Sequence, residues 1–346
     1  MKPGYVVDSD AHILESPEGV RARMPEGWAR SGTAMPWDGG YNRSYFGTLG
    51  PMSRPGGSSD YLRDMDIEGI DLAIFYPTAS LFIGDVRDPE WETVYCRAYN
   101  DWLSDFCRAN PDRLRGVALM PLHDIHGACE ELNRASGKLG LVGAMVPSSF
   151  SYGPGNVGES YFDDFYREAE RLRVPVGIHH SGSVRTETAG FQHFLQIHLL
   201  SHVPEQIKAV TAIVIGGVLE RFPMLKVGFL EAGCGWVPFW LEHMDEEFEK
   251  RHKEVPWLRQ KPSEYIRNCP AFFGVEPEEK LIPLVAREVG AGKLMYASDY
   301  PHWDSDWPDT VKTLVEREDV DDNLRQAIMC DNALSFYGLA RPVEAG

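Results

Sequence analysis

Three groups of possible metal ligands lie far apart in the chain. They are Asp10-Ala11-His12 near the start, His179-His180 in the middle, and Ser298-Asp299-Tyr300-Pro301-His302 near the end. Each group lies at the downstream end of a short apolar run, as expected at the end of a β-strand. A barrel of parallel strands gathers such distant residues at one mouth. The pattern therefore predicts a mononuclear metal site in a (β/α)8 barrel.

Asp10 and His12 are two residues apart, so in a β-strand their side chains point to the same face. They would present one oxygen and one nitrogen toward one point, a mixture that zinc and manganese both accept. Asp8 shares this face but lies deeper, where it could orient a ligand. Glu15 lies past the strand end, where it could bind the ion or cap a turn.

The same alternation predicts that His179 points into the barrel mouth and that His180 points away from it or onto the following loop. Asp299 should share its face with Met295 and Ala297, which both suit a barrel interior. There it could bind the ion and act as base for a bound water, and an N-cap is the alternative role. The predicted metal ligands are Asp10, His12, His179 and Asp299.

Glu231 ends the sixth apolar run, and Gly233 and Gly235 would let the backbone turn sharply behind it. A carboxylate at the barrel mouth could act as acid or base, bind the ion as a further oxygen ligand, or pair with an arginine. His302 could transfer a proton or orient a ligand. Cys234 is the cysteine nearest this group, and a buried thiol is a simpler role for it than a nucleophile.

Short apolar runs alternate with helical patterns, which favours a parallel sheet with crossover helices. The clearest helices are predicted over Trp91–Asn110 and Phe162–Arg173. A first strand that ends in Asp-Ala-His, with no G-x-G-x-x-G turn, favours a closed barrel over a nucleotide-binding open sheet. The eight predicted strands are Tyr5–His12, Leu72–Pro77, Gly116–Pro121, Val142–Pro147, Val174–His180, Lys226–Glu231, Ala271–Val275 and Leu294–Asp299.

Two stretches fit no barrel element, and both follow a strand, so they would project over the barrel mouth. Residues 16–59 would form a lid-like insertion after strand one. Residues 181–204 would form a second loop insertion after strand five, and this stretch contains His193, His198 and His202. Surface decoration is the alternative role. The remaining pattern predicts one domain over residues 1–346.

The chain has 346 residues, which suits one large barrel, and a formal net charge of −18. Such an acidic surface argues against nucleic acid or a membrane as a partner. The start of the chain has no signal-peptide apolar region and no apolar run is long enough for a bilayer, so a cytoplasmic location is expected. The six cysteines form no CxxC pair, which is typical of free thiols.

The sequence resembles the amidohydrolase-2 group of the amidohydrolase superfamily, in the branch that contains aminocarboxymuconate-semialdehyde decarboxylase. The resemblance spans almost the full length, and its motifs occur in order. They are residues 7–12, 109–114, 174–179, 216–223, 297–302 and 332–338. The resemblance implies a (β/α)8 barrel, one divalent zinc or manganese ion, a small-molecule carboxylic acid as substrate, and a homodimer.

By motif position, the resemblance places the metal ligands on Asp10, His12, His179 and Asp299. Strand six departs from the family pattern, because decarboxylases of this group commonly present a histidine where this chain has Glu231. His180 or His202 could supply the missing imidazole. The predicted catalytic residues are Asp299, Glu231, His180, His202 and His302.

Two activities are compatible with these residues. The first is a non-oxidative carboxy-lyase acting on a small aromatic or unsaturated carboxylic acid. The alternative is a metal-dependent hydrolase or hydratase, in which metal-activated water attacks an ester, lactone, amide or unsaturated acid, and Glu231 in place of histidine favours it. A barrel used only for binding is a third interpretation, against which the full set of ligand types argues.

The carboxy-lyase is also favoured by aromatic residues of the first insertion that could pack on a planar acid. They are Trp28, Trp37, Tyr41, Tyr45 and Phe46.

Overall fold

The computed structural model describes residues 2–30, 55–181 and 190–342. Eight β-strands pair in parallel and in chain order, so that each strand lies beside the next one in the sequence. The strands are β1 Val7–Ile13, β2 Leu72–Pro77, β3 Leu114–Leu119, β4 Gly143–Pro147, β5 Val176–His179, β6 Val227–Phe229, β7 Ala271–Val275 and β8 Leu294–Tyr296.

Hydrogen bonds between β1 and the chain at and after β8 bring the two edges of the sheet together. Ser9 Oγ donates to the Tyr296 carbonyl at 2.7 Å. The amide of Asp299 donates to the carbonyl of Asp10 at 3.2 Å, and the amide of His12 donates to the carbonyl of Tyr300 at 2.7 Å. Because helices cover the outside of this closed sheet, the predicted (β/α)8 barrel is confirmed.

Fourteen α-helices lie within the described ranges, most of them between successive strands. They are α1 Pro17–Arg21, α2 Glu26–Arg30, α3 Ser58–Glu68, α4 Pro89–Cys107, α5 Ile125–Lys138, α6 Asp163–Leu172, α7 Phe194–Ile215, α8 Val218–Arg221, α9 Val237–Arg251, α10 Pro262–Asn268, α11 Ile282–Val289, α12 Thr310–Val315, α13 Asp322–Gln326 and α14 Asn332–Tyr337. Short 3-10 turns cover Ala79–Asp85, Ser160–Phe162, His252–Glu254 and Ala291–Lys293, and a π-helical turn covers Ala327–Asp331.

The sequence pattern locates these elements within a few residues. Strands β2 and β7 have the predicted bounds. Helix α4 begins two residues before the predicted start because Asp88 caps it, accepting from the amides of Glu90 and Trp91. Strands β6 and β8 contain three residues each. They end before Glu231 and Asp299, which therefore lie on the turns that follow.

The predicted second loop insertion, residues 181–204, is corrected from Phe194 onward, which is nearly half of its length. Phe194 begins α7, a helix of 22 residues that continues to Ile215, so His198 and His202 lie on a helix. Pro204 lies inside α7, where it removes one backbone hydrogen bond and would normally end a helix. In the first insertion, the described part forms α1, α2 and the start of α3. Its remaining residues, 31–54, lie outside the described ranges, as do 182–189 of the second.

Among the described residues, no helix combines the length and the apolar character needed to cross a bilayer.

Candidate metal centre

Ligand atoms from three strand ends converge at the barrel mouth. Asp10 Oδ1, His12 Nε2 and His179 Nε2 are buried and have no hydrogen-bond partner. Asp10 Oδ1 lies 3.7 Å from His12 Nε2 and 3.7 Å from His179 Nε2, and Asp299 Oδ1 lies 3.2 Å from His12 Nε2. A buried polar atom without a partner costs about 1–3 kcal/mol, and a cation held among these three atoms would remove that cost. The four predicted ligands thus lie together with a donor set that fits zinc or manganese.

The second ring nitrogen of each ligand histidine is held by a backbone carbonyl. His12 Nδ1 donates to the Pro77 carbonyl at 2.7 Å, and His179 Nδ1 donates to the His180 carbonyl at 3.0 Å. These bonds leave Nε2 of each ring with its lone pair toward the site. Burial lowers the pKa of His12 well below its usual value and lowers the pKa of His179 to about 3. Both rings are therefore neutral, as metal ligation requires.

Asp8 holds the backbone on both sides of the site. Its carboxylate accepts from the amides of Asp10 and Ser298 at 3.2 and 3.1 Å, and also from the Ser298 hydroxyl. It therefore connects β1 to the turn that carries Asp299, in the orienting position predicted for it. Burial raises the pKa of Asp8 to about 6.

The two carboxylates at the ends of β6 and β8 have an uncommon backbone conformation. Glu231 has a φ of 53° and Asp299 has a φ of 55°, in the left-handed region that residues other than glycine rarely adopt. Backbone strain of this kind costs about 1–3 kcal/mol and is concentrated at functional sites. Strand alternation does not position Asp299, since β8 ends at Tyr296. The turn itself directs the carboxylate toward His12.

His302 lies between these two carboxylates. Its Nδ1 is 2.7 Å from Asp299 Oδ1 and 3.5 Å from Glu231 Oε1, while Nε2 lies 3.2 Å from Thr78 Oγ1. Burial alone would lower the pKa of His302, but the negative charges of Asp299 and Glu231 raise it well above its usual value. Burial also raises the pKa of Asp299, and it raises the pKa of Glu231 to about 8. The three groups can therefore share and move a proton at the edge of the site.

Both other predicted histidines contact Glu231. His180 Nδ1 lies 3.8 Å from Glu231 Oε2, and His202 Nε2 lies 3.8 Å from Glu231 Oε1. The expectation that His180 points away from the mouth is wrong, because β5 ends at His179 and the alternation does not extend past it. Burial lowers the pKa of His202 to about 4. Within the described residues, the side-chain nitrogen atoms within 4 Å of the Glu231 carboxyl group belong to histidines rather than to the arginine considered above.

Two other candidates have structural roles. The carboxylate of Glu15 accepts from the amides of Ala79 and Ser80 at 2.9 and 2.8 Å, so Glu15 caps the 3-10 turn after β2. Cys234 is fully buried, and burial raises the pKa of its thiol. A thiol held protonated is a poor nucleophile, which supports the buried structural role.

Several site residues were missed from the sequence. The Tyr76 ring stacks on His179 at 5.4 Å between ring centroids, and Asp304 Oδ2 lies 3.1 Å from His198 Nε2. Tyr76 lies near the end of predicted strand two, and Asp304 lies two residues after His302. Both residues lie close to predicted strand ends, so their positions in the sequence could have indicated that they lie at the barrel mouth.

A cavity of about 320 Å³ opens beside these groups. The polar residues of its lining include Asp10, His202, Glu231, Glu276, Asp299 and Asp304. A volume of this size accommodates a small planar acid. Of the five aromatic residues predicted to pack on such an acid, Trp28 is described, and it stacks on Trp91 at 5.5 Å. The other four lie outside the described ranges.

Comparison with known proteins identifies the family. Residues 7–339 match the amidohydrolase family Amidohydro_2. A 2-amino-3-carboxymuconate-6-semialdehyde decarboxylase of Dictyostelium discoideum is 26% identical over 285 residues, which cover 80% of this chain and 76% of the relative.

Two solved structures share the fold over their whole length. An amidohydrolase of Mycobacterium avium subsp. paratuberculosis has a TM-score of 0.80 at 20% identity and covers 98% of this chain and 99% of its own. A dihydroxybenzoic acid decarboxylase of Polaromonas sp. JS666, with bound manganese and the inhibitor 2-nitroresorcinol, has a TM-score of 0.76 at 19% identity and covers 98% of both chains. Because the family match extends over nearly the whole sequence, this chain belongs to the amidohydrolase family Amidohydro_2.

Proposed function

We propose that the protein is a metal-dependent, non-oxidative carboxy-lyase that acts on a small aromatic or unsaturated carboxylic acid. The observation that carries the proposal is the convergence of Asp10, His12, His179 and Asp299 beside the cavity. The relatives support it, since a semialdehyde decarboxylase and a dihydroxybenzoic acid decarboxylase share the family and the fold.

The four ligand side chains would hold one divalent ion, zinc or manganese. When bound, the ion supplies positive charge that can hold a substrate carboxylate or a neighbouring hydroxyl and stabilise negative charge on the substrate. Asp8, the Pro77 carbonyl and the His180 carbonyl fix the ligand orientations, so the site is preorganised before a substrate enters.

The proton comes from the group formed by Asp299, His302 and Glu231. Loss of carbon dioxide breaks one carbon–carbon bond and leaves its electron pair on the substrate carbon, which must then accept a proton. His302 is 2.7 Å from Asp299 and 3.5 Å from Glu231, and both carboxylates line the cavity. A carboxylic acid at either position can donate that proton, and His302 can restore it.

A hydrolase or hydratase is the second candidate, and the observation that favours it is Glu231 at the end of β6. A carboxylate beside the metal ligands can take a proton from water and pass it to a leaving group. Incorporation of solvent oxygen into the product distinguishes this chemistry from decarboxylation.

The test is a carbon dioxide assay on protein reconstituted with manganese or zinc, against hydroxybenzoates, unsaturated dicarboxylates and neutral esters and lactones. We expect carbon dioxide from at least one carboxylic acid, with loss of turnover in Asp299→Asn. His126→Ala is the matched control, because His126 is 88% exposed on α5, outside the site. Cleavage of a neutral ester or lactone, with no carbon dioxide from any acid, would reject the carboxy-lyase. Size-exclusion chromatography of the same samples tests the homodimer implied by the family resemblance.

A further inference from the structure

Hydrogen bonds fix helix α7 against the carboxyl ends of three strands. Gln206 is fully buried, and its side-chain amide donates to the carbonyls of Ile178 and Leu230 at 2.9 and 2.8 Å. Glu205, also buried, accepts from the Ser181 hydroxyl at 3.2 Å and from the Ser148 hydroxyl. These bonds join α7 to the ends of β4, β5 and β6. The rest of the barrel therefore determines the position of His202, one turn earlier on the same helix.

The hydrogen bonds of His202 define its tautomer. Its Nδ1 lies 3.0 Å from Ser201 Oγ and 3.4 Å from the carbonyl of His198. Ser201 Oγ donates its own hydrogen to that carbonyl at 2.8 Å, so both neighbours of Nδ1 act as acceptors. Nδ1 therefore carries the hydrogen, and the lone pair of Nε2 faces Glu231 Oε1 at 3.8 Å.

A lone pair that faces a carboxylate oxygen is unfavourable unless a proton or a cation lies between them. On the other side of Glu231, His180 Nδ1 lies 3.8 Å from Oε2, and the His180 and His202 rings lie 4.2 Å apart. One ligand atom from each of His180, His202 and Glu231 lies within 4.8 Å of the others. Two ligands at about 2.1 Å from a tetrahedral ion are about 3.4 Å apart, and the two 3.8 Å distances to Glu231 exceed that value by about 0.4 Å.

We infer that His180, His202 and Glu231 form a second divalent-cation site next to the first. Two imidazoles and one carboxylate are a donor set for zinc or manganese rather than for magnesium or calcium, which prefer oxygen ligands. Glu231 also belongs to the group formed with His12, Asp299 and His302, so one carboxylate lies between the two sites. The inference goes beyond the proposed activity and does not depend on which reaction the protein catalyses.

Metal content measured on protein saturated with Mn²⁺ and then freed of loosely bound ion tests the inference. We expect about two ions per chain in the wild type and in His126→Ala, and about one in His202→Ala and His202→Gln. Electron paramagnetic resonance of the wild type should show coupling between two Mn²⁺ ions, and the His202 variants should show an isolated ion.

One ion per chain in the wild type, with an uncoupled spectrum, would overturn the second site and leave the catalytic ion in place. No ion in any sample would reject the metal-dependent function as well. The wild-type spectrum decides between one and two ions even if both His202 variants fail to fold. If His202 instead carries a second proton to pair with Glu231, the uncoupled spectrum is the result.

Discussion

Replacement of Gly177 by alanine should displace Tyr76, which packs against the proposed metal ligand His179. A Cβ built on Gly177 lies 2.1 Å from the Tyr76 hydroxyl, and real contacts of this kind are rarely closer than 3.4 Å. The hydroxyl would therefore have to move by about 1.3 Å. It now forms a 3.0 Å hydrogen bond with the Tyr337 hydroxyl, and Tyr337 donates onward to the Ser9 carbonyl at 2.7 Å.

Two costs add in this variant. Overpacking of a buried site costs about 1–3 kcal/mol, and loss of the hydrogen bond between Tyr76 and Tyr337 costs about 1 kcal/mol. We therefore expect Gly177→Ala to lower the free energy of unfolding by about 2–4 kcal/mol. Because the Tyr76 ring stacks on His179, its displacement should also weaken binding of the ion.

Gly143→Ala is the matched control, since Gly143 is a buried glycine of the neighbouring strand β4. A Cβ at Gly143 would meet its nearest atoms at 3.4–3.5 Å, which is ordinary contact, so the change should stay within about 1 kcal/mol of the wild type. Urea denaturation of metal-free protein measures both variants without the contribution of ion binding.

Equal midpoints and equal ion affinities for Gly177→Ala and Gly143→Ala would refute this reasoning. The double variant Gly177→Ala with Tyr76→Phe should recover part of the loss. Recovery is incomplete because two ring carbons of Tyr76 would still lie 2.9 and 3.0 Å from the new Cβ. A full additive loss in the double variant would show that the hydroxyl is not the obstacle.

Calorimetric titration with Mn²⁺ should show that Asp8→Asn lowers the affinity for the ion by about 10–100-fold, because Asp8 only orients the site. Asp10→Ala removes a ligand and should lower the affinity further. Equal losses in the two variants would contradict the ligand role of Asp10 and the orienting role of Asp8. His123 Nδ1 lies 3.0 Å from Glu92, and the hydrogen bond to Glu92 raises the pKa of His123. The stability that this pair contributes is therefore fully present below about pH 6.5 and is lost as the pH rises through the raised pKa of His123. The advantage of wild type over Glu92→Gln in urea should therefore shrink with rising pH, and an advantage independent of pH would argue against the ion pair. Glu15→Gln should cost about 1–2 kcal/mol on thermal melting without loss of the ion, because Glu15 caps a turn; loss of the ion would make it a ligand instead.

The barrel and the convergence of the four predicted ligands could be predicted because both depend on local signals. Parallel strands bring their carboxyl ends to one mouth, so Asp10, His12 and His179 needed only the correct strand ends. Asp299 lies at the barrel mouth, as predicted, but strand alternation is not the reason. Its strand ends at Tyr296, and a left-handed backbone turn brings the carboxylate into the site. No side-chain pattern identifies a positive φ at an aspartate, so this part of the geometry was beyond the sequence argument.

The histidines of α7 could not be placed for a different reason. Pro204 interrupts the local helical signal, and tertiary contacts restore the helix, since Gln206 and Glu205 bond to strand ends that are distant in sequence. The position of His202 depends on those long-range bonds rather than on its neighbours.

Glu231 and α7 together explain how this chain departs from the family pattern at strand six. Glu231 places a carboxyl group there, in place of an imidazole, beside Asp10 and Asp299, and burial raises its pKa to about 8. The imidazoles of His180 and His202 lie 3.8 Å from its two oxygens. Two imidazoles, one after the end of β5 and one on α7, therefore lie on either side of this carboxyl group. A carboxylate with two imidazoles can hold either a proton or a cation. The number of ions bound by the wild type therefore decides whether Glu231, His180 and His202 hold a proton or a second cation.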